Sequence, residues 1–308
     1  MRVWSLNGVI WKQGEDRGAE AWWFDVTGPH GGLSELAKRF SLHPLAVEDC
    51  YSPLIHVPKI DDFGGHLFIV VQALSPGSTD DVFEELDVFL GPNFIITYTD
   101  HPLAELDDTM LSLRKGITAR PGVDGIFHAV FDRGVDSILP AVNALSDKID
   151  ALQEVVVLAP GAESHTAILE MRAHAGRLRR VLTPQMEVAM RLSRGEYAVI
   201  QQANLIYYRD IYDHLARVDL ALEAVREDAD VALSTFLSAI NNRMNEVMKV
   251  LSVVSALALP AVVITGIFGT NFDNVPGLHS NWGFTIMMGS MLAIGGALAL
   301  FFRRRGWF

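Results

Sequence analysis

Residues 250–272 have the sequence VLSVVSALALPAVVITGIFGTNF, 23 consecutive positions without a charged side chain. After Asp273 a second uncharged run of 29 residues, 274–302, has its apolar core between Phe284 and Phe302. Each run supplies the roughly 20 apolar residues with which a helix crosses about 30 Å of hydrocarbon. The segment between the two cores, GTNFDNVPGLHSNWG, is typical of a loop because it is rich in Gly, Asn and Pro. We predict two membrane-spanning helices; the alternative, a buried hairpin in a soluble core, is disfavoured because such helices rarely lack charge on every face.

The positive charges that flank these runs indicate their orientation. Arg243 and Lys249 precede the first run, Arg303–Arg305 follow the second, and the loop contains neither Lys nor Arg. Under the positive-inside rule both termini lie in the cytoplasm. The N-terminal sequence MRVWSLNGVIWKQGED lacks the apolar stretch of a signal peptide. We therefore expect a multi-pass protein of the inner (plasma) membrane.

The rest of the chain is acidic. Residues 248–308 contain four of the 25 basic and one of the 37 acidic residues, which leaves 21 and 36, a formal charge of −15, for residues 1–247. This balance argues against nucleic acid as a partner, which would require a basic surface. The apolar half of the composition excludes a disordered chain, and the single cysteine, Cys50, excludes an internal disulfide.

Residues 1–120 have the pattern of a mixed α/β domain. Short β-branched or aromatic runs bounded by Gly, Pro or Asp predict strands, and two further segments predict helices. The predicted strands are Val3–Trp11, Ala21–Val26, Leu67–Leu74, Leu86–Leu90 and Phe94–Tyr98, and the predicted helices are Gly32–Phe40 and Pro44–Cys50.

Residues 121–247 are predicted to form a helical funnel or stalk. We predict a helix over Ile126–Leu158 with a kink at Pro140, and a second helix, Ser164–Leu182, that stops before Pro184. Glu196–Leu259 contains neither Gly nor Pro, and its 64 residues would form a helix of about 96 Å that enters the first span. Such a helix needs neighbours, so we expect a bundle or an oligomer. The third domain, 248–308, would comprise a pore helix (about 248–270), an outer loop (about 271–282) and a second helix (about 283–302).

Two spans cannot enclose a pore, but a symmetric homo-oligomer can place one helix of each subunit around a conduit. The first span has an uncharged stripe of small or mildly polar residues at three- and four-residue steps, which lie on one helical face. Its members are Asn245, Ser252, Ser255, Leu259, Val262, Gly266 and Thr270. Periodicity supports equally a conduit and close helix packing through small residues. Leu251 and Leu259 are candidates for a hydrophobic gate.

An uncharged conduit lined by oxygen atoms suits a hard cation that keeps its water, as Mg²⁺ does. The amide oxygens of Asn245 and Asn271 can hold a hydration shell without trapping the ion. The first span contains no Cys or His, which argues against a site for a soft metal.

A second candidate feature lies on the long predicted helix. Asp219, Glu223, Glu227 and Asp230 follow steps of four, four and three, so they form one acidic face whose charges repel. We favour a solvated face partly neutralised by Arg217 and Arg226; the alternative is a reservoir or sensor for divalent cations. Catalytic constellations are weak, because Cys50 has no His partner at a known spacing and His56 and His66 form no zinc pattern. We predict no enzyme activity and no catalytic cofactor.

The stretch 242–271, NRMNEVMKVLSVVSALALPAVVITGIFGTN, closely resembles the pore helix of CorA-type divalent-cation channels. The family signature there is Gly-Met-Asn, and this chain has Gly269-Thr270-Asn271. The resemblance extends over the whole chain through five further segments: WFDV (23–26), HPLAVED (43–49), PKI (58–60), YYRDIYDH (207–214) and RRRGWF (303–308).

The resemblance implies an α+β membrane protein: a funnel-shaped homopentamer in the lipid bilayer, with an N-terminal α/β cytosolic domain and two C-terminal transmembrane helices per subunit. Gly269, Thr270, Asn271 and Asp273 would form the outer mouth, where Asn271 meets the hydrated ion. Asn245, Leu251 and Leu259 match pore-lining positions.

The resemblance also implies a regulatory site. Asp210 matches an acidic residue that in some members helps to hold regulatory Mg²⁺ between protomers. Asp80 and Asp81 are candidates for its partner in the α/β domain.

The outer loop bears on the identity of the ion. Pro276-Gly277 replaces the Pro-Glu of many magnesium members and is similar to the ZntB zinc branch, and His279 adds a donor for zinc. Phe272-Asp273-Asn274, however, is similar to CorA. We predict a channel for Mg²⁺, Co²⁺ and Ni²⁺ that is closed by cytosolic divalent cation. The alternatives are a Zn²⁺ transporter, with or without proton coupling, and a membrane-tethered metal sensor that does not conduct.

Overall fold

The computed structural model describes residues 1–7, 10–16, 18–29, 32–74, 83–115, 120–158, 160–272, 275–277 and 280–307. The chain divides into two compact units. The first unit comprises Met1–Val155 and Gly161–Leu233, and the second comprises Val156–Pro160 and Ser234–Phe308.

The first unit contains a seven-stranded mixed sheet in the order β2-β1-β3-β7-β6-β5-β4. The strands are β1 (Arg2–Asn7), β2 (Ile10–Gln13), β3 (Ala21–Thr27), β4 (Lys59–Asp62), β5 (Leu67–Leu74), β6 (Phe83–Leu90) and β7 (Phe94–Thr99). Strands β3 and β7 pair in parallel, whereas the other pairs are antiparallel. The prediction of one strand over Val3–Trp11 is wrong, since this segment contributes to the antiparallel pair β1 and β2.

Both faces of the sheet are covered, and neighbouring residues of a strand enter different cores. Trp23 and Ile95 join the larger core, with residues of five helices that follow the sheet in the chain. Phe24 and Ile96, one position further on, join a smaller core with Leu33 and other residues that directly follow β3. All four sheet residues are fully buried, which explains why these strands have nearly continuous apolar sequences.

Eight α-helices complete the described part of the chain. They are α1 (Leu33–Phe40), α2 (Pro44–Cys50), α3 (Ala104–Arg114), α4 (Val123–Asp136), α5 (Ile138–Leu158), α6 (Ala162–Ser193), α7 (Leu205–Phe268) and α8 (Gly283–Arg304).

Prolines do not interrupt the helices where the sequence predicts it. The break near Pro140 lies at Ser137, between α4 and α5, so that Pro140 falls in the first turn of α5, where its missing N–H costs no helical hydrogen bond. The predicted stop before Pro184 is wrong. Helix α6 continues to Ser193 because Val188 and Leu192 beyond the proline are buried in the larger core.

The second unit contains the C-terminal part of α7 and the whole of α8. Both helices are long and apolar enough to cross a membrane, and their apolar segments are almost entirely unburied in the single chain. Helix α7 runs through Pro260 to Phe268, and α8 ends at Arg304, near the predicted C-terminal ends, but α7 begins at Leu205 and not at Glu196 as the sequence predicts. Lys249 Nζ donates a hydrogen bond of 3.1 Å to the carbonyl oxygen of Gly306, which links α7 to the chain just beyond α8.

Candidate pore and metal-binding sites

Helix α7 exposes the face that the sequence predicts to line a conduit. Leu259 and Val262 are 64% and 63% exposed, and Leu251 is 57% exposed, whereas Val253 is only 3% exposed. The other members of the stripe are exposed as well: Asn245, Ser252, Ser255, Gly266 and Thr270. A single chain therefore leaves this uncharged face uncovered, which both a conduit and a helix-packing surface require.

The predicted outer mouth lies at the C-terminal end of α7. Gly269 N–H donates a hydrogen bond of 2.8 Å to the Thr265 carbonyl, and Thr270 Oγ1 donates one of 2.8 Å to the Ile267 carbonyl. These bonds satisfy two of the last carbonyl groups, and the helix end as a whole carries partial negative charge that attracts cations. The exposed Asn271 adds a neutral amide oxygen. The fourth predicted residue of the mouth, Asp273, lies outside the described residues.

A second group of oxygen and nitrogen donors lies in the first unit, where Asp210 is located. Asp132 and Asp136 of α4 and His214 of α7 each place one donor atom within 4.8 Å of the other two. His214 Nδ1 lies 3.7 Å from Asp136 Oδ1, and His214 Nε2 lies 3.8 Å from Asp210 Oδ1. We call Asp132, Asp136, Asp210 and His214 the α4–α7 cluster.

The electrostatics of the α4–α7 cluster favour a bound cation. Burial raises the pKa of the Asp132 carboxyl, and the negative charges of Asp136 and Asp210 raise it further, although His214 and the Arg120 charge lower it. These three carboxylates repel one another, and a divalent ion among them would offset the repulsion. Carboxylate oxygens suit Mg²⁺, and an imidazole nitrogen suits Co²⁺, Ni²⁺ or Zn²⁺, so the donor set fits a divalent cation.

The cluster has a neutral or cationic border. His128 is 5% exposed, and burial together with the Arg120 charge lowers its pKa to about 4, so its imidazole is neutral at physiological pH. The Arg120 guanidinium carbon lies 3.0 Å from the centroid of the Tyr207 ring. The negative charge of the cluster is therefore carried by its three carboxylates, beside a neutral imidazole and a guanidinium group.

The predicted partners of Asp210, Asp80 and Asp81, lie outside the described residues. Sequence reasoning missed Asp132, Asp136 and His214. A signal was present, because Asp132/Asp136 and Asp210/His214 are each four residues apart and so share one helical face. The sequence does not, however, indicate that α4 packs beside α7.

The predicted acidic face of α7 contacts basic residues of α6. Arg179 forms ion pairs with Asp219, at 2.9 Å, and with Glu223. Arg172 Nε lies 3.2 Å from Asp230 Oδ1. Glu227, the fourth member, is exposed.

The neutralising residues differ in part from those expected. Arg226 lies 3.5 Å from Glu223, as the sequence predicts. Arg217 does not pair with the acidic face in the described part of the chain and instead donates to the backbone carbonyl of Asp213. The main compensating charges come from the neighbouring helix α6, which sequence spacing along α7 cannot reveal.

Comparisons with known proteins agree on one family. The family described as "CorA-like Mg2+ transporter protein" matches residues 18–304. The cobalt/magnesium transport protein CorA of Thermotoga maritima is 27% identical over 92% of this chain and 83% of its own length. The divalent cation transporter CmaX of Pseudomonas aeruginosa is 29% identical over 95% of this chain and 86% of its own length.

The fold is similar to that of a complete transporter. The solved structure of the CorA magnesium transporter from Methanocaldococcus jannaschii matches with a TM-score of 0.88. The match covers 100% of this chain and 99% of that chain at 19% identity. The N-terminal α/β domain, the long helix and the two apolar C-terminal helices therefore follow the same plan in both.

Proposed function

This chain belongs to the CorA-like Mg²⁺ transporter family, and on that premise we propose that it conducts Mg²⁺, Co²⁺ and Ni²⁺ into the cytoplasm through a homopentameric pore. Members of this family are divalent-cation transporters of membranes rather than enzymes. The proposed membrane is the plasma membrane, with both termini in the cytoplasm, as the flanking Lys and Arg residues predict.

The observation that carries the proposal is the uncovered, charge-free stripe of α7 that ends at Gly269-Thr270-Asn271. In a ring of subunits this stripe would face the symmetry axis, and the exposed Leu251 and Leu259 would narrow the conduit. The oxygen atoms of Asn271 and of the helix end would contact a hydrated ion through its water. Since these donors are neutral oxygens, they suit Mg²⁺ better than Zn²⁺.

The proposed regulation rests on the α4–α7 cluster. Divalent cation bound at Asp210 and its neighbours would stabilise one arrangement of α4 and α7, and the same helix α7 continues into the proposed pore. Cytosolic ion would thereby close the channel by population shift. Neutralising Asp210 should weaken closure at high Mg²⁺, which flux measurements at graded internal Mg²⁺ will report.

The central experiment measures ion entry into liposomes that contain the purified protein. We expect Mg²⁺ and Co²⁺ entry that is indifferent to a pH gradient and is lost in the Asn271→Ala variant. Asn281→Ala is the matched control because Asn281 is an exposed amide of the same connection, close to the start of α8. Mass measurement of the detergent-solubilised complex tests the pentamer.

Each alternative has its own result in this assay. Zn²⁺ entry that follows a pH gradient, with little Mg²⁺ entry, would assign the chain to zinc transport. Absence of flux in a correctly assembled protein would favour the non-conducting sensor. Equal flux in wild type and Asn271→Ala would remove Asn271 from the conduit.

A further inference from the structure

A basic groove lies on the surface of α6, in the first unit. It has a volume of about 870 Å³, is widely open to solvent, and is lined by Arg172, Arg177, Arg179, Arg180 and Arg226. These are five of the 25 Lys and Arg residues of a chain whose formal net charge is −12. The groove is thus a local concentration of positive charge on an acidic protein.

Three of the five arginines have acidic partners on α7. Arg179 pairs with Asp219 and Glu223, Arg172 pairs with Asp230, and Arg226 shares Glu223. Three carboxylates therefore stand opposite three guanidinium groups.

The other two arginines are not neutralised. Arg177 and Arg180 are exposed, and within the residues that the structure describes neither has an acidic side chain within 4.0 Å. They lie three positions apart on α6, where like charges repel each other. The groove therefore retains two uncompensated positive charges.

The floor of the groove is open. Gly176 lies between the arginines, and a Cβ atom added there would meet no atom within 4 Å apart from its own helix. Ala173, the neighbouring residue of the lining, has only a methyl group. Glycine is a poor helix former, but at this position it leaves room for a ligand between the guanidinium groups.

The chemistry and spacing of the groove fit a chain of phosphates. A guanidinium group presents a planar set of N–H donors that binds two phosphate oxygens at once. Arg172 and Arg180 are eight residues apart, about 12 Å along the helix axis, which exceeds the reach of a single phosphate. We propose that the groove binds a soluble polyphosphate anion, such as the triphosphate chain of a nucleotide.

The test measures binding of inorganic triphosphate to the full-length protein in a neutral detergent, in metal-free buffer at low salt, by titration calorimetry. The Arg177→Gln/Arg180→Gln double variant removes the two uncompensated charges without breaking an ion pair of the described structure. We expect saturable binding to wild type and roughly tenfold or greater weakening in the double variant, since each charge-assisted contact is strong. Arg194→Gln is the matched control, because Arg194 is an exposed arginine just beyond the end of α6 and outside the groove.

A second pair of variants tests the open floor. Gly176→Glu places a carboxylate among the arginines and should abolish binding, whereas Gly176→Ala should leave it within about threefold of wild type because the added methyl meets no atom. Circular dichroism of each variant confirms that the helices are intact.

The variants distinguish results that support the proposed phosphate site from results that exclude it. Binding that is lost in the double variant and in Gly176→Glu but retained in Arg194→Gln and Gly176→Ala establishes the site. Absence of saturable binding to wild type overturns the proposal, as does equal weakening in Arg194→Gln and the double variant. Ion flux is not part of the readout, so the outcome is independent of the proposed transport function.

Discussion

The His214→Gln substitution tests whether the α4–α7 cluster binds a divalent cation. The nitrogen atoms of His214 lie 3.7 Å from Asp136 Oδ1 and 3.8 Å from Asp210 Oδ1, too far for a hydrogen bond. The side chain is 30% exposed, so its replacement removes part of its packing, although glutamine keeps a polar side chain of similar length. We therefore expect the metal-free variant to unfold within about 2–4 °C of wild type, because a typical single substitution costs on the order of 1 kcal/mol.

The difference in thermal stability between His214→Gln and wild type should increase when metal is present. An ion at 100 times its dissociation constant stabilises the folded state by about 2.7 kcal/mol. At about 2–4 °C per kcal/mol this raises the midpoint of thermal unfolding by roughly 5–10 °C. Loss of one of the ligand side chains that weakens binding 10- to 100-fold reduces the gain to about 0.4–1.4 kcal/mol, or roughly 1–5 °C.

The choice of ion adds a second criterion. Imidazole is a good ligand for Co²⁺ and a poor one for Mg²⁺, so His214→Gln should reduce the Co²⁺ effect more than the Mg²⁺ effect. Asp136→Asn, at a 64% exposed carboxylate, should reduce both. The assay is tryptophan fluorescence during heating of the full-length protein in detergent, with His101→Gln, an exposed histidine outside the cluster, as the control. A full Co²⁺ shift retained in both His214→Gln and Asp136→Asn would refute the site.

Three further outcomes are expected. Burial and the Glu85 charge raise the pKa of Asp87, so the folded protein keeps a proton that the unfolded chain loses, and the stability of the wild type falls as pH rises. The Asp87→Asn variant should not lose stability in this way. Denaturation midpoints that fall equally in both proteins between pH 5 and 8 would contradict this prediction. Leu259→Asn should increase Mg²⁺ entry into liposomes at high internal Mg²⁺, because a polar side chain wets a hydrophobic constriction; unchanged entry would exclude Leu259 from the gate. Arg179→Gln should destabilise the fold by about 0.5–1 kcal/mol in urea titrations. The effect is modest because the ion pairs of this 35% exposed side chain are partly screened by solvent. An unaltered urea midpoint would show that water compensates for the lost ion pairs.

Local properties of the chain made most elements predictable. The spans are visible because absence of charge over 20 or more residues is a property of a single segment. The central strands are visible because burial on both faces demands apolar residues throughout. Strand β4, Lys59–Asp62, escaped prediction because an edge strand of sequence KIDD has one apolar residue and is defined by its pairing with β5.

Pro184 shows that a proline in the sequence does not by itself predict where a helix ends. Pro184 lies within α6, and the cost of its missing hydrogen bond is opposed by burial of Val188, Ala189 and Leu192 beyond it. A buried Leu or Val side chain contributes about 1.5–3 kcal/mol, so two of them equal or exceed the roughly 3 kcal/mol that an internal proline costs. Only the tertiary structure reveals that these residues have a core to enter.

The α4–α7 cluster depends on packing that no single segment encodes. Asn204 Nδ2 donates to Asp124 Oδ2 at 2.8 Å, and Tyr208 Oη donates to the Asp124 carbonyl at 2.8 Å. Both bonds are buried, where an unmade hydrogen bond is costly, so they set the register of α7 against α4. From this anchor, the twelve residues from Asp124 to Asp136 advance about 18 Å and the ten from Asn204 to His214 advance about 15 Å. Because these advances are nearly equal, the acidic face of α4 and the face of α7 that carries Asp210 and His214 lie side by side. The position of the cluster is thus set by a hydrogen bond about three helical turns away.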